Sequence, residues 1–172
     1  AIIQDAIAAA SSGDTILVCP GTYTETVDLG GRDLRLLGGG YSDQTIIDGG
    51  GSGAVLTADS GETTAASVER LTLTGGSAVD GGGVYVDSSG LSLVDVRVEE
   101  NAADQGGGVF CTNSEMVLQD VVVLDNVASD GWGGGAYFST CEVDWSGGRV
   151  QGNELTAPWA YGGGGAVFQR YT

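Results

Sequence analysis

Three consecutive glycines followed by an asparagine recur at a fixed distance in the second half of this chain. Gly81-Gly82-Gly83 runs to Asn101, Gly106-Gly107-Gly108 to Asn126, and Gly133-Gly134-Gly135 to Asn153. From first glycine to asparagine the step is 20 residues each time, and a fourth triplet starts at Gly163. The triplets begin 25, 27 and 30 residues apart, and all of that variation lies between the asparagine and the next triplet, in segments of 4, 6 and 9 residues. A core of constant length with one growing corner is the mark of a solenoid, in which each repeat stacks on its predecessor and insertions leave through a single edge.

Aligning the blocks gives the strands. Val84-Tyr85-Val86, Val109-Phe110-Cys111, Ala136-Tyr137-Phe138 and Ala166-Val167-Phe168 follow the triplets. Leu91-Ser92-Leu93, Met116-Val117-Leu118 and Val143-Asp144-Trp145 come next, then Val96-Arg97-Val98, Val121-Val122-Val123 and Gly148-Arg149-Val150. Alternation within the first set turns its outer members inward and its middle member outward. Trp145, in the column of Leu93 and Leu118, is assigned to the core. Three short strands per turn predict an all-β, right-handed, single-stranded parallel β-helix of roughly triangular section. Its buried side chains stack at the interstrand spacing of about 4.8 Å.

Asn101, Asn126 and Asn153 are expected to form an axial ladder, each amide donating to and accepting from its neighbours, in left-handed corner conformation. The triplet glycines serve close backbone packing or positive φ, and no Lys-Ser/Thr follows them, which removes a phosphate loop. The first half repeats the pattern more loosely, with strands expected at Thr15–Val18, Thr26–Leu29, Asp33–Leu37, Thr45–Ile47, Ala54–Leu56 and Leu71–Leu73, and Gly76 in the asparagine position. Ile3, Ala6, Ile7 and Ala10 lie on one helical face, so residues 1–12 are expected to cap the tube and residues 13–172 to build it, with regular repeats over 81–172. The last coil is expected to be uncapped, which anticipates a continuation of the chain or another subunit there. The chain reads as a piece of something longer.

Charge limits the partners. Asp and Glu number 23 against 6 Lys plus Arg, with no His, for a formal charge of −17. Such a surface repels phosphate backbones and excludes nucleic-acid binding, and no apolar run is long enough to insert into a membrane. The cysteines are Cys19, Cys111 and Cys141. An odd number leaves at least one unpaired within the chain. Cys19 reads as a buried apolar residue and Cys111 as an inward thiol. Cys141 reads as a turn residue, and a bridge from it to Cys111 needs a sharp bend.

Gly13-Asp14-Thr15-Ile16-Leu17-Val18 followed by Pro20-Gly21-Thr22-Tyr23-Thr24-Glu25 resembles the opening of right-handed β-helix proteins of the pectin-lyase-like superfamily. The second half resembles the repeats of polymorphic outer-membrane proteins and related bacterial surface β-helices. Their Gly-Gly-apolar motif is matched at Gly82-Gly83-Val84, Gly107-Gly108-Val109 and Gly134-Gly135-Ala136. Their Phe-x-x-Asn motif is matched at 98–101, 123–126 and 150–153, with Val98, Val123 and Val150 in place of Phe. The resemblance implies the fold and a secreted or bacterial cell-surface setting. It also brings polysaccharide lyases into view, in which Asp residues hold calcium and an Arg or Lys removes a proton.

Asp95 and Asp120, and Arg97 and Arg149, occupy equivalent positions here, but arginine is too basic to serve as a base without a drastic loss of proton affinity. No catalytic residue is assigned. Asp80, Asp104 and Asp130 fall in the variable segments and are candidate calcium ligands along one edge; no other cofactor is implied. Trp132, Trp159 and Tyr161 lie on the same edge, a candidate contact for a glycan or a protein. The reading is a non-catalytic extracellular or cell-surface module, a structural spacer, adhesin or passenger segment. The alternatives are a carbohydrate-active enzyme of the polysaccharide-lyase type and a calcium- or glycan-binding module.

Overall fold

The computed structural model describes residues 2–157 and 162–169. They form a parallel β-helix of about five turns behind one short helix. The first sheet stacks Thr15–Val18, Arg35–Gly38, Ser67–Glu69, Gly90–Val94, Glu115–Gln119 and Glu142–Ser146. The second stacks Gly21–Thr24, Thr45–Asp48, Thr72–Thr74, Arg97–Glu99, Val122–Leu124 and Arg149–Gln151. The third, the triplet sheet, stacks Val27–Asp28, Leu56–Ala58, Val84–Asp87, Val109–Thr112, Ala136–Ser139 and Ala166–Gln169. The register is the one the triplets dictate: Val86 pairs with Cys111 and Cys111 with Phe138, while Leu93 pairs with Leu118 and Leu118 with Trp145.

The section is triangular only in the first two coils. From the third coil on, a fourth sheet of short strands, Ser77–Asp80, Ala102–Gln105, Val127–Ala128 and Glu154–Leu155, follows the asparagine position. The segment expected to be loop thus begins as strand, and the inserted residues leave only after its first two positions have paired. Small side chains let it fit: Ala103 and Ala128 point into the tube beside the asparagines and are buried.

Each regular coil turns its corners on residues of positive φ, one to a corner except for the Gly147-Gly148 pair. In the first full block these are Gly81, Ser88, Asp95 and Glu100; one coil on they are Gly106, Asn113, Asp120 and Asp125; next come Gly133, Thr140, Gly147 and Gly152. The left-handed residue at the asparagine corner is therefore the one before it, Glu100, Asp125 or Gly152, and not the asparagine. This corrects the expectation for the asparagines and leaves their side chains free to bond along the axis. Non-glycine residues pay roughly 1 kcal/mol for such a conformation, and the in-register stack of identical corners holds them there.

The core is one continuous apolar column set running from Ile3 and Ile7 of the helix through Leu36, Val68, Leu93 and Leu118. Each buried Leu or Val contributes about 1.5–3 kcal/mol. The helix Ile3–Ala9 closes the first coil with Ile3 and Ile7 inward. Glu25 holds it in place by accepting hydrogen bonds from the N–H groups of Ile2, Ile3 and Gln4 at 2.9, 3.2 and 2.9 Å. The Gln4 side chain pairs with the backbone of Asp28, accepting from its N–H at 2.7 Å and donating to its carbonyl at 3.1 Å, which blunts a strand edge. At the other end Phe168 is 61% exposed, and the last strand of each sheet forms its outer edge.

Candidate functional site

Inside the tube, the polar chemistry is an amide spine. Asn101 donates through Nδ2 to Oδ1 of Asn126 at 3.0 Å, and Asn126 donates to Oδ1 of Asn153 at 2.9 Å. Each Oδ1 also accepts a backbone N–H from the coil before: Gly76 to Asn101 at 2.8 Å, Asn101 to Asn126 at 3.0 Å, Asn126 to Asn153 at 2.9 Å. The amide nitrogens further serve the carbonyls of Leu73, Val98 and Val123. The triplet makes room for this. A Cβ on Gly108 would stand 2.8 Å from Nδ2 of Asn126, and one on Gly107 would stand 2.4 Å from the Val127 carbonyl oxygen, while Gly106 has a φ of 59°. Each glycine of the triplet therefore has its own steric reason, and the spine and the triplet form one device.

On the outside of the triplet sheet the outward residues Tyr85, Phe110 and Tyr137 stack on one another. Tyr85 and Phe110 lie with centroids 5.7 Å apart and planes 8° apart; Phe110 and Tyr137 are 5.6 Å apart. Trp132 folds back onto Tyr137 at 5.9 Å and 14°. Phe110 and Tyr137 are only 8% and 6% exposed, so these outward positions are covered by each other. Tyr85 with Phe110 and Trp132 with Tyr137 turn ring faces to each other, while Phe110 and Tyr137 meet at a tilt of 57°. Tyr137 donates its hydroxyl to Oε1 of Gln169 at 2.5 Å. Trp159 and Tyr161 lie outside the described residues.

The three candidate acids share an edge but not a column. Asp80 and Asp130 both occupy the level of Gln105, two coils apart, whereas Asp104 sits one residue earlier, level with Val79 and Ser129. Asp104 accepts a hydrogen bond from Ser129 Oγ at 2.7 Å. Oδ1 of Asp80 is buried with no hydrogen-bond partner, and burial, with the Asp104 carboxylate adding to it, pushes its pKa up. Among the described residues no group of three or more His, Cys, Asp or Glu side chains gathers as a metal-holding cluster.

Asp95 and Asp120 stand at left-handed corners between the first and second sheets, not on a strand face. Arg97 and Arg149 share a column with Val122 between them, and Arg97 is engaged by Glu99 beside it. A polar groove of about 350 Å³ crosses the corner between the triplet sheet and the first sheet, bordered by Glu62, Ser89 and Ser114. Glu62 is buried there. Its carboxylate accepts hydrogen bonds from Gly31 N–H, Ser60 N–H and Ser89 Oγ at 2.7, 2.9 and 3.0 Å. Sequence reading missed this corner because a single acid in an irregular early coil carries no period.

Cys111 and Cys141 form a disulfide, with Cα atoms 6.1 Å apart, so the inward thiol and the turn residue are one staple between consecutive coils. Cys19 is free and exposed, contrary to the expectation of burial. Alternation in Thr15–Val18 turns Val18 inward, and Cys19 follows it outward at the corner. Phe138 packs edge-on against Trp145 and face-on against Phe168, at 6.1 and 4.8 Å. Trp145 is partly buried against the core, on the outermost described strand of the first sheet. Comparison with protein-family models, with curated proteins and with solved structures finds no match for this chain.

Proposed function

We propose that this chain is a non-catalytic extracellular or cell-surface β-helix module that acts as a stiff spacer, adhesin or passenger segment. The observation that carries this reading is the Cys111–Cys141 disulfide beside the asparagine spine. Disulfides persist in oxidising compartments, which supports export from the cell. Both devices spend their bonding along the axis, one covalently and one through amides, and so favour a rod that keeps its length. The formal charge of −17 supports solubility at a crowded surface. The resemblance of the opening to pectin-lyase-like proteins and of the repeats to bacterial surface β-helices points the same way.

The test is incubation of the purified chain with a panel of neutral and acidic polysaccharides, with and without calcium. No new reducing ends or unsaturated sugars are expected from any of them. Sustained depolymerisation of one polymer overturns the reading in favour of a carbohydrate-active enzyme.

A second reading, a calcium-binding module, is favoured by the unpartnered Oδ1 of Asp80 beside Asp104. A cation there would relieve both the buried oxygen and the repulsion. Calcium that binds only the folded chain raises its melting temperature with concentration. A rise that Asp80→Asn abolishes supports this second reading, and an unchanged melting temperature removes it.

A further inference from the structure

We propose that the Cys111–Cys141 disulfide is a redox-sensitive latch that fastens the last described coil to the rest of the tube. Ser89, Ser114 and Cys141 occupy the same corner in successive coils, one residue before the paired Gly90, Glu115 and Glu142. The earlier corners are tied by hydroxyls: Gly61 N–H donates to Ser89 Oγ at 2.9 Å, and Ser89 N–H to Ser114 Oγ at 3.0 Å. At the third corner sulfur replaces oxygen and turns inward to Cys111, which is fully buried in the column between Val86 and Phe138.

The coil that this bond fastens is less buried than the one before it. Met116, Leu118 and Val123 are fully buried, but Val143, Trp145 and Val150, one coil on in the same columns, are only partly buried. Among the described residues its strands pair on one side only. Cys141 also lines an open, largely apolar cavity of about 320 Å³ with Phe138, Val143, Phe168 and Gln169, while Cys111 lies sealed beneath.

An attacking thiolate therefore reaches the Cys141 sulfur first. It bonds to that sulfur, the Cys111–Cys141 bond breaks, and the Cys111 sulfur leaves as a thiolate that takes a proton from solvent. A second thiolate then attacks the mixed disulfide, leaving Cys141 as a thiol and the reagent as its own disulfide. The two protein sulfurs are reduced and two reagent thiols are oxidised. Cys19, at the opposite end, takes no part.

Hydrogen exchange of the intact chain, followed by mass spectrometry with and without a phosphine reductant, tests the latch. Amides of residues 142–157 are expected to exchange on the order of tenfold faster after reduction, while those of 84–112 keep their protection, as expected for a sub-global opening. Cys141→Ser, which restores the residue type of the corners below, is expected to show the faster exchange in the absence of reductant and to gain nothing from its addition. An unchanged pattern on reduction overturns the proposal, as does a uniform loss across all coils. Alkylation of the unreduced native protein at Cys111 or Cys141, and not at Cys19 alone, overturns it as well.

Discussion

Oδ1 of Asn126 accepts two hydrogen bonds from one residue, the backbone N–H and the side-chain Nδ2 of Asn101, both at 3.0 Å. Its own Nδ2 reaches back to the Val98 carbonyl at 2.9 Å and forward to Asn153 at 2.9 Å. Asn126 is fully buried. Asn126→Ala would take the acceptor from the buried Asn101 N–H and a donor from the Val98 carbonyl, and leave a cavity in the spine, while Nδ2 of Asn101 keeps the carbonyls of Leu73 and Glu99. An unpaired buried group costs about 1–3 kcal/mol. A loss of about 3–4 kcal/mol is expected, measured as a shift of the urea midpoint. Asn126→Asp keeps the acceptor but turns an oxygen toward the Val98 carbonyl, and is expected to be no milder. A loss below about 1 kcal/mol for Asn126→Ala would show that the spine is dispensable.

The third glycine of each triplet supplies an internal control. A Cβ on Gly108 would meet the Gly135 carbonyl oxygen at 2.6 Å and Nδ2 of Asn126 at 2.8 Å, whereas one on Gly165 would meet nothing within 4 Å. Gly108→Ala is expected to cost about 2–3 kcal/mol through overpacking. Gly165→Ala should change stability by less than about 0.5 kcal/mol. Equal effects at the two positions in thermal melts would sink the steric account of the triplet.

The coil register could be read from the sequence because the triplets fix the phase, and with period-2 strands a one-residue error would have put Leu93 and Leu118 in solvent. The fourth sheet could not. Ala102, Ala103, Val127 and Ala128 are small and show no alternation, and the length variation after them suggests a loop. The left-handed corners were hidden by their residue types. Asp95, Glu100, Asn113 and Asp120 look like ordinary solvent-facing polar residues, although steps of 7, 7 and 5 residues from Gly81 and from Gly106 locate them in both blocks. Tyr85, Phe110 and Tyr137 were legible as outward-facing; that they would bury one another follows only from putting three rings in one column at strand spacing. Cys19 misled because cysteine chemistry suggests burial while strand parity decides it.

Two carboxyl groups give opposite dependences on pH. Burial works against ionisation of Glu25, but the N–H donors of Gln4, Ile3 and Ile2 outweigh it and hold its pKa below the ordinary glutamate value. Its stabilising contribution is therefore complete above the unfolded-state pKa and is lost as pH falls through the lowered folded value. Glu25→Gln is expected to lower the melting temperature at neutral pH, with the gap from wild type closing in acid. Burial and Asp104 raise the pKa of Asp80, so its charged form costs stability above the raised value, and that cost disappears as pH falls through it. Asp80→Asn is expected to raise the melting temperature at neutral pH, the gain shrinking in acid. Parallel pH profiles for wild type and both variants would remove the assignment.

The outer aromatic stack is expected to contribute to stability although it lies outside the tube. Phe110 sits between Tyr85 and Tyr137, at 5.7 and 5.6 Å, and is 8% exposed. Truncating it removes two ring contacts, each about 0.5–1.5 kcal/mol beyond area burial, and uncovers the sides of Tyr85 and Tyr137 that it packs against. Phe110→Ala should therefore cost about 3 kcal/mol, near the low end for a buried phenylalanine. Phe110→Tyr should cost much less, because its neighbours above and below show that the column accepts a hydroxyl. Near-ultraviolet circular dichroism, which reports on packed aromatic rings, followed through urea unfolding beside the far-ultraviolet signal, separates local loss of the stack from global loss of the coils. Coincident transitions at an unchanged midpoint for Phe110→Ala would mean that the rings merely lie together and hold nothing.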